Sequence, residues 1–158
     1  MSPAPSTAHQ RFTGELHRQV ANFLVDHPCQ VFMAPFDVRL AAPGAPPEEV
    51  TTVVQPDLVV LCDLTGLDER GYQGAPEWII EVLSPSTSAR DQITKLALYE
   101  AYGVRCYWLV HPIDHVVTVY TRLPSGEGFG RPRVSETKGQ LASGVFEGLV
   151  IDWERLPG

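Results

Sequence analysis

Gln55-Pro56-Asp57-Leu58-Val59-Val60-Leu61-Cys62 and, after a polar loop, Glu77-Trp78-Ile79-Ile80-Glu81-Val82-Leu83-Ser84 decide how this chain folds. Each holds an apolar run of strand length, at 57–62 and 78–83, with apolar residues on both faces, and such strands are buried. Asp57 opens the first run and Glu81 interrupts the second. A charge inside a buried strand persists only where something pairs with it or binds it. These two acids are therefore the residues that the fold has to account for.

Downstream, Ser84-Pro85-Ser86-Thr87-Ser88 ends the second strand and starts a helix. Ser88 and Asp91 have the spacing of a capping box, and Asp91 suits the positive end of the helix dipole. The helix runs to about Tyr102 and stops at Gly103. Residues 105–110 and 115–121 read as a hairpin turning through His111-Pro112-Ile113-Asp114. Residues 123–130 form a Gly/Pro loop, and 132–153 read as short strands around Gly139, Gly144 and Gly148. Upstream, Phe12, Leu16, Val20, Phe23 and Leu24 recur at three- and four-residue steps, predicting an amphipathic helix from His9 to about Val25 that Pro28 stops. Residues 31–40 predict a strand interrupted at Pro35, and 41–49 a loop. Residues 1–8, rich in Ser, Pro, Ala and Thr, are expected to be disordered, leaving 9–158 as one domain. Helix, strands, helix, strands is the α/β (α+β) pattern, a mixed β-sheet flanked by helices.

Composition bounds the function. The chain of 158 residues is long enough for one buried core, and 44% hydrophobic with 20% charged residues is ordinary for a globular domain. No apolar run approaches the roughly 20 residues needed to span a bilayer. The three cysteines are far apart with no CxxC pair, which argues against a zinc knuckle or a disulfide framework and points to a reducing cytoplasm. DNA-binding proteins normally show a basic face that neutralises phosphates, whereas here the net charge is −7, Lys and Arg total 12 and no basic run exists. Any contact with DNA has to use a few local cations, a bound metal or a partner.

Strands that carry Asp57 and Glu81 can bring both carboxylates to one cation, because neighbouring strands lie about 4.8 Å apart. Hard oxygen ligands suit magnesium or manganese, which stabilise phosphoryl charge and lower the pKa of water. Lys95, on the helix that follows, can hold water or phosphoryl oxygens. Each residue also has a plain structural reading. Asp57 can cap a turn after Pro56, Glu81 can form a buried ion pair with Lys95 or an arginine, and Lys95 can make an i,i+4 pair with Asp91. His111, Asp114 and His115 read as a turn rather than a metal site. The serines at 84, 86 and 88 lack a nucleophile elbow, and Tyr99, Tyr102, Tyr107 and Trp108 read as core or a dimer face.

The runs Gln55-Pro56-Asp57-Leu58-Val59-Val60, Gly74-Ala75-Pro76-Glu77-Trp78-Ile79-Ile80-Glu81-Val82-Leu83-Ser84-Pro85-Ser86-Thr87, Arg90-Asp91, Lys95-Leu96-Ala97-Leu98-Tyr99 and Gly103-Val104-Arg105-x-Tyr107-Trp108-Leu109-Val110-x-Pro112, in that order, resemble the Uma family. These are bacterial restriction-endonuclease-like proteins of the PD-(D/E)XK nuclease superfamily. The resemblance extends to His9-Gln10-Arg11 and to Ala34-Pro35-Phe36-Asp37-Val38-Arg39-Leu40, and so covers roughly residues 9 to 121. It implies a restriction-endonuclease-like core, with Asp57 and Glu81 as ligands of Mg2+ or Mn2+ and Glu15 as an additional acid on the first helix. Leu83 stands where the superfamily carries its lysine, and Lys95 is the matching residue of this family. Cys106 and His111 stand where Glu and Asp are expected.

Two functions follow as expectations. The first is a cytoplasmic, Mg2+-dependent DNA endonuclease, paired as a homodimer by analogy with nucleases that cut two strands, with Asp57, Glu81, Lys95 and Glu15 as its catalytic set. The alternative is a catalytically inactive nuclease-like scaffold whose acidic surface binds protein partners.

Overall fold

The structure is a computed structural model that describes residues 5–42 and 44–156. The expected disorder at 1–4, Pro43 of the loop and the last two residues of the domain lie outside the described residues. In chain order the elements are α1 (Thr7–Phe23), β1 (Gln30–Met33), β2 (Val38–Arg39), β3 (Val53–Val54), β4 (Leu58–Leu61), β5 (Leu67–Asp68), β6 (Gly71–Gln73), β7 (Trp78–Val82), α2 (Ala89–Ala101), β8 (Cys106–His111), β9 (Val116–Thr121), β10 (Arg133–Glu136), β11 (Gln140–Ala142) and β12 (Val150–Asp152). A six-stranded mixed sheet in the order β1-β4-β7-β8-β9-β10 forms the centre. Only β7 and β8 run parallel, with α2 as their crossover, and the other neighbours are antiparallel.

The central strands are apolar on both faces because each face meets a different layer. Trp78, Ile80 and Val82 of β7 pack with Phe12, Leu16 and Val20 of α1 and with Leu149, Ile151 and Trp153. Ile79 faces the other way, toward Tyr99 of α2, Tyr107, and Val38 and Tyr72 of a small sheet ordered β3-β2-β6-β5. One side chain on that second face is Glu81.

Helix α1 begins at Thr7, earlier than its apolar stripe indicates, because Ser6 accepts the His9 N–H and caps it. Thr7 and Ala8 of the stretch expected to be disordered are thus helical. Helix α2 starts as expected, with Ser88 accepting the Asp91 N–H at 3.1 Å, and Gly103 follows it at φ +86°, the left-handed conformation that ends helices. The expected strand at 31–40 is two strands in different sheets, divided at the Ala34–Pro35 bond. The polar loop after β4 contains a further antiparallel pair, β5 and β6.

The cysteine reading needs correction. Cys29 and Cys62 are bonded as a disulfide, and Cys106 is the free, buried thiol. Strand register is the physical reason. Gln30 lies opposite Leu61 across β1 and β4, so one further step along the ladder brings Cys29 and Cys62 face to face, with Cα atoms 4.2 Å apart. A sequence separation of 33 residues conceals that adjacency. Among the described residues no helix is long and apolar enough to cross a membrane.

Leu16 is fully buried between α1 and the sheet. Leu16→Ala is expected to destabilise the fold by about 2–5 kcal/mol, whereas Ile93→Ala, on the exposed side of α2, is expected to stay within about 0.5 kcal/mol. Urea denaturation of both variants beside wild type checks this, and equal costs would place Leu16 outside the core.

Candidate active site

The site grows from one register. Leu58 pairs with Ile80 across β4 and β7, so the next step outward sets Asp57 opposite Glu81. Backbone amides of the two strands then hold both carboxylates. The Asp57 N–H donates to Glu81 Oε1 at 2.9 Å, and the Val82 N–H donates to Asp57 Oδ2 at 2.7 Å. Lys95, two turns into α2, places Nζ 2.8 Å from Glu81 Oε2. The Tyr99 hydroxyl, one turn later, lies 3.4 Å from the same oxygen. From the other helix, His9 brings Nε2 to 3.2 Å from Asp57 Oδ1.

His9, Asp57, Glu81 and Lys95 line a pocket of about 140 Å³ together with Gln55, Ser84, Thr87 and Gln92. A larger cleft of about 440 Å³ opens between Phe12, Trp153 and the turn at Asp114 and His115. Its acids, Asp114, Glu136 and Glu154, are all exposed. The small pocket is the site of interest because it holds the buried charge.

Glu81 is 5% exposed. Burial pushes its carboxyl above the ordinary value, against the pull of the Lys95 ammonium and the Asp57 N–H. Desolvation alone would lower Lys95, but the facing Glu81, with Asp57 and Asp91 behind it, holds the ammonium above its usual value. The His9 imidazole is raised by its hydrogen bond to Asp57. Burial opposes that shift, and the charges of Asp57 and Glu81 and the Val82 backbone reinforce it.

Three of the four residues read from the sequence, Asp57, Glu81 and Lys95, thus meet in one pocket. The plain alternative for Lys95 gives way, since its ammonium contacts Glu81 rather than pairing with Asp91. Glu15 is a correction. It hydrogen-bonds Arg18 Nε and Gln19 Nε2, each at 3.0 Å, and lines a different hollow with Arg11 and Arg155. Helix geometry explains the miss, because six residues beyond His9 is about 9 Å further along α1 and roughly 120° around it. His9 is the helix residue that reaches the acids. Its signal in the sequence was position, since it stands one turn before Phe12 in the apolar stripe, where solvent-facing helix residues do not fall.

The other residues singled out are placed as follows. Tyr107 and Trp108 are core on opposite faces of the sheet, and Tyr99 is core with its hydroxyl on the site. Ser84 bonds Ser86 and Thr87 at the pocket rim, and only Ser88 is the helix cap. Cys106 is buried in β8, its thiol pushed up to about 11 by desolvation, and His111 ends that strand.

The donor set fits a hard divalent cation. Two carboxylates offer about four acceptor positions each, and Asp57 and Glu81 use some of theirs on backbone and Lys95. Magnesium is commonly held by one or two carboxylates, with waters and substrate phosphates completing it. Among the described residues no group of three or more His, Cys, Asp or Glu side chains is placed to hold a metal ion. The fit is therefore to a two-carboxylate, water-rich site and not to a closed structural one.

The sequence matches the family Uma2, described as putative restriction endonuclease, over residues 1–154. No curated protein matches it. Among solved structures, the chain is similar to one from Anabaena variabilis ATCC 29413, described as a putative nuclease belonging to DUF820, at 18% identity and a TM-score of 0.74, covering 98% of this chain and 82% of that one. At that identity the likeness shows a common fold, in agreement with the restriction-endonuclease-like core that the family resemblance implies.

Because Asp57 is what raises His9, Asp57→Asn is expected to lower the His9 titration midpoint, read by NMR of the imidazole. The sign follows for stability. A raised histidine stabilises the fold below its ordinary value of 6.5, and that increment disappears as pH rises through the folded value. A midpoint unmoved in Asp57→Asn would show that the contact is not what shifts His9.

Proposed function

The chain belongs to the Uma2 family of restriction-endonuclease-like proteins, and from that membership we propose a metal-dependent endonuclease that hydrolyses phosphodiester bonds in DNA. The observation that carries the reading is the adjoining pair of carboxylates, Glu81 accepting the Asp57 N–H and Asp57 accepting the Val82 N–H, with an ammonium 2.8 Å from Glu81. A buried Glu81 beside a half-buried Asp57 and a lysine offers oxygen donors of the kind through which a hard cation acts on a phosphoryl group.

Asp57 and Glu81 would hold Mg2+ or Mn2+ between two adjacent strands. When bound there, the cation supplies neutralisation of phosphoryl charge and a lowered pKa for water. Lys95 has three donors, one of them on Glu81, and its side chain is 40% exposed. Its remaining donors can meet a phosphoryl oxygen or orient the attacking water. Backbone amides fix both carboxylates before substrate arrives, so little reorganisation is needed during the reaction. Glu15 has no part in this arrangement. Double-stranded DNA as substrate would call for two copies of the site, and a homodimer supplies them.

A net charge of −7, together with a Glu81 already satisfied by Lys95 and backbone, favours one alternative, a catalytically inactive scaffold that binds protein partners. Cleavage of plasmid and branched DNA with Mg2+ or Mn2+ separates the two. The endonuclease reading expects cleavage by wild type, background levels in Asp57→Ala and Glu81→Ala that keep their fold, and a rate roughly 10²–10³-fold lower in Lys95→Met. Cleavage undiminished in Asp57→Ala overturns the assignment. No cleavage by wild type with either cation moves the conclusion to the scaffold.

A further inference from the structure

The first turn of α1 does something that its packing does not require. Phe12, Leu16, Val20 and Leu24 bury the helix against the sheet, and His9 extends the stripe past the end of that contact. Its backbone is fixed on both sides, with the N–H on Ser6 Oγ at 3.1 Å and the carbonyl accepting the Thr13 hydroxyl at 2.8 Å. Its side chain is 13% exposed and lies against Asp57. Asp57 is consequently gripped at both oxygens. The sheet holds Oδ2 through the Val82 N–H at 2.7 Å, and the helix holds Oδ1 through His9 Nε2 at 3.2 Å.

We propose that His9 is a positioning residue, whose Nε2–H donor fixes the Asp57 carboxylate in the orientation that receives the cation. The inference rests on the reading of Asp57 as a ligand. A role confined to pinning α1 is the competing account, and two observations weigh against it. The apolar stripe already anchors the helix over four buried residues, so one hydrogen bond adds little. The other imidazole nitrogen, Nδ1, is buried without a hydrogen-bond partner among the described residues. That is an uneconomical way to tether a helix, whereas a donor aimed at a ligating carboxylate is the usual outer support of a metal site.

Two full-length variants test the proposal. His9→Gln keeps an N–H donor, and His9→Leu fills the space without one. Mn2+ affinity, followed by electron paramagnetic resonance, is expected to fall about 10–100-fold in His9→Leu and to stay within a few-fold of wild type in His9→Gln, with both variants melting alike. Wild-type affinity in His9→Leu, or equal losses in both, overturns the proposal. A second readout needs no metal. In 15N-histidine spectra of the metal-free protein, the His9 Nε2 should carry the proton and shift in Asp57→Asn, and a signal that stays in place overturns the proposal. Failure of the ligand reading shows separately, as equal Mn2+ affinity in wild type and Asp57→Ala.

Discussion

The antiparallel pairing of β4 with β7 is the constraint on which the site depends. Its register sets Leu58 against Ile80, and that alignment sets Asp57 against Glu81. A slip of one residue would turn every side chain of β4 to the other face. It would move the apolar set that packs beneath α1 to the opposite core and would break both backbone-to-carboxylate hydrogen bonds. Core and site therefore stand on the same pairing. The strand pairing that builds the two-faced core also fixes where its two acids emerge.

From that register the two helices acquire different tasks. Helix α2 is the crossover between parallel β7 and β8, and it returns over the face that carries Glu81. Lys95 and Tyr99, four residues apart on one helical face, both meet that carboxylate. Helix α1 lies on the other face and reaches the site only with its first turn. The capping of that turn by Ser6 is thus connected to the site as well as to the helix.

What the sequence disclosed followed from local period and local chemistry. The buried strands, the capped helix over 89–101 and the hairpin of β8 and β9 are each encoded within a short window. Asp57 and Glu81 stand out for the same reason, since a charge in an apolar run is a local anomaly. What escaped were relations between distant segments. The Cys29–Cys62 bond depends on the register of β1 against β4. The division of residues 31–40 between two sheets depends on which neighbours those strands find. Glu15 and His9 share α1 but differ in height and in angle about its axis, and which of them reaches the acids depends on how the helix packs on the sheet.

The Glu81–Lys95 contact also bears on the choice between enzyme and scaffold. Moving two charges out of water is expensive, and an apolar pair of similar size in the same place is often as stable or more so. Glu81 is 5% exposed on a strand whose neighbours Ile79, Ile80 and Val82 are all apolar and buried. A fold that needed only stability could carry another aliphatic residue at that position and dispense with the lysine. The structure instead surrounds this carboxylate with an ammonium, a backbone amide and a phenol, and sets a second carboxylate beside it. Stability alone does not account for that concentration of polar groups on a buried strand, and the proposed binding of a cation and a phosphodiester would.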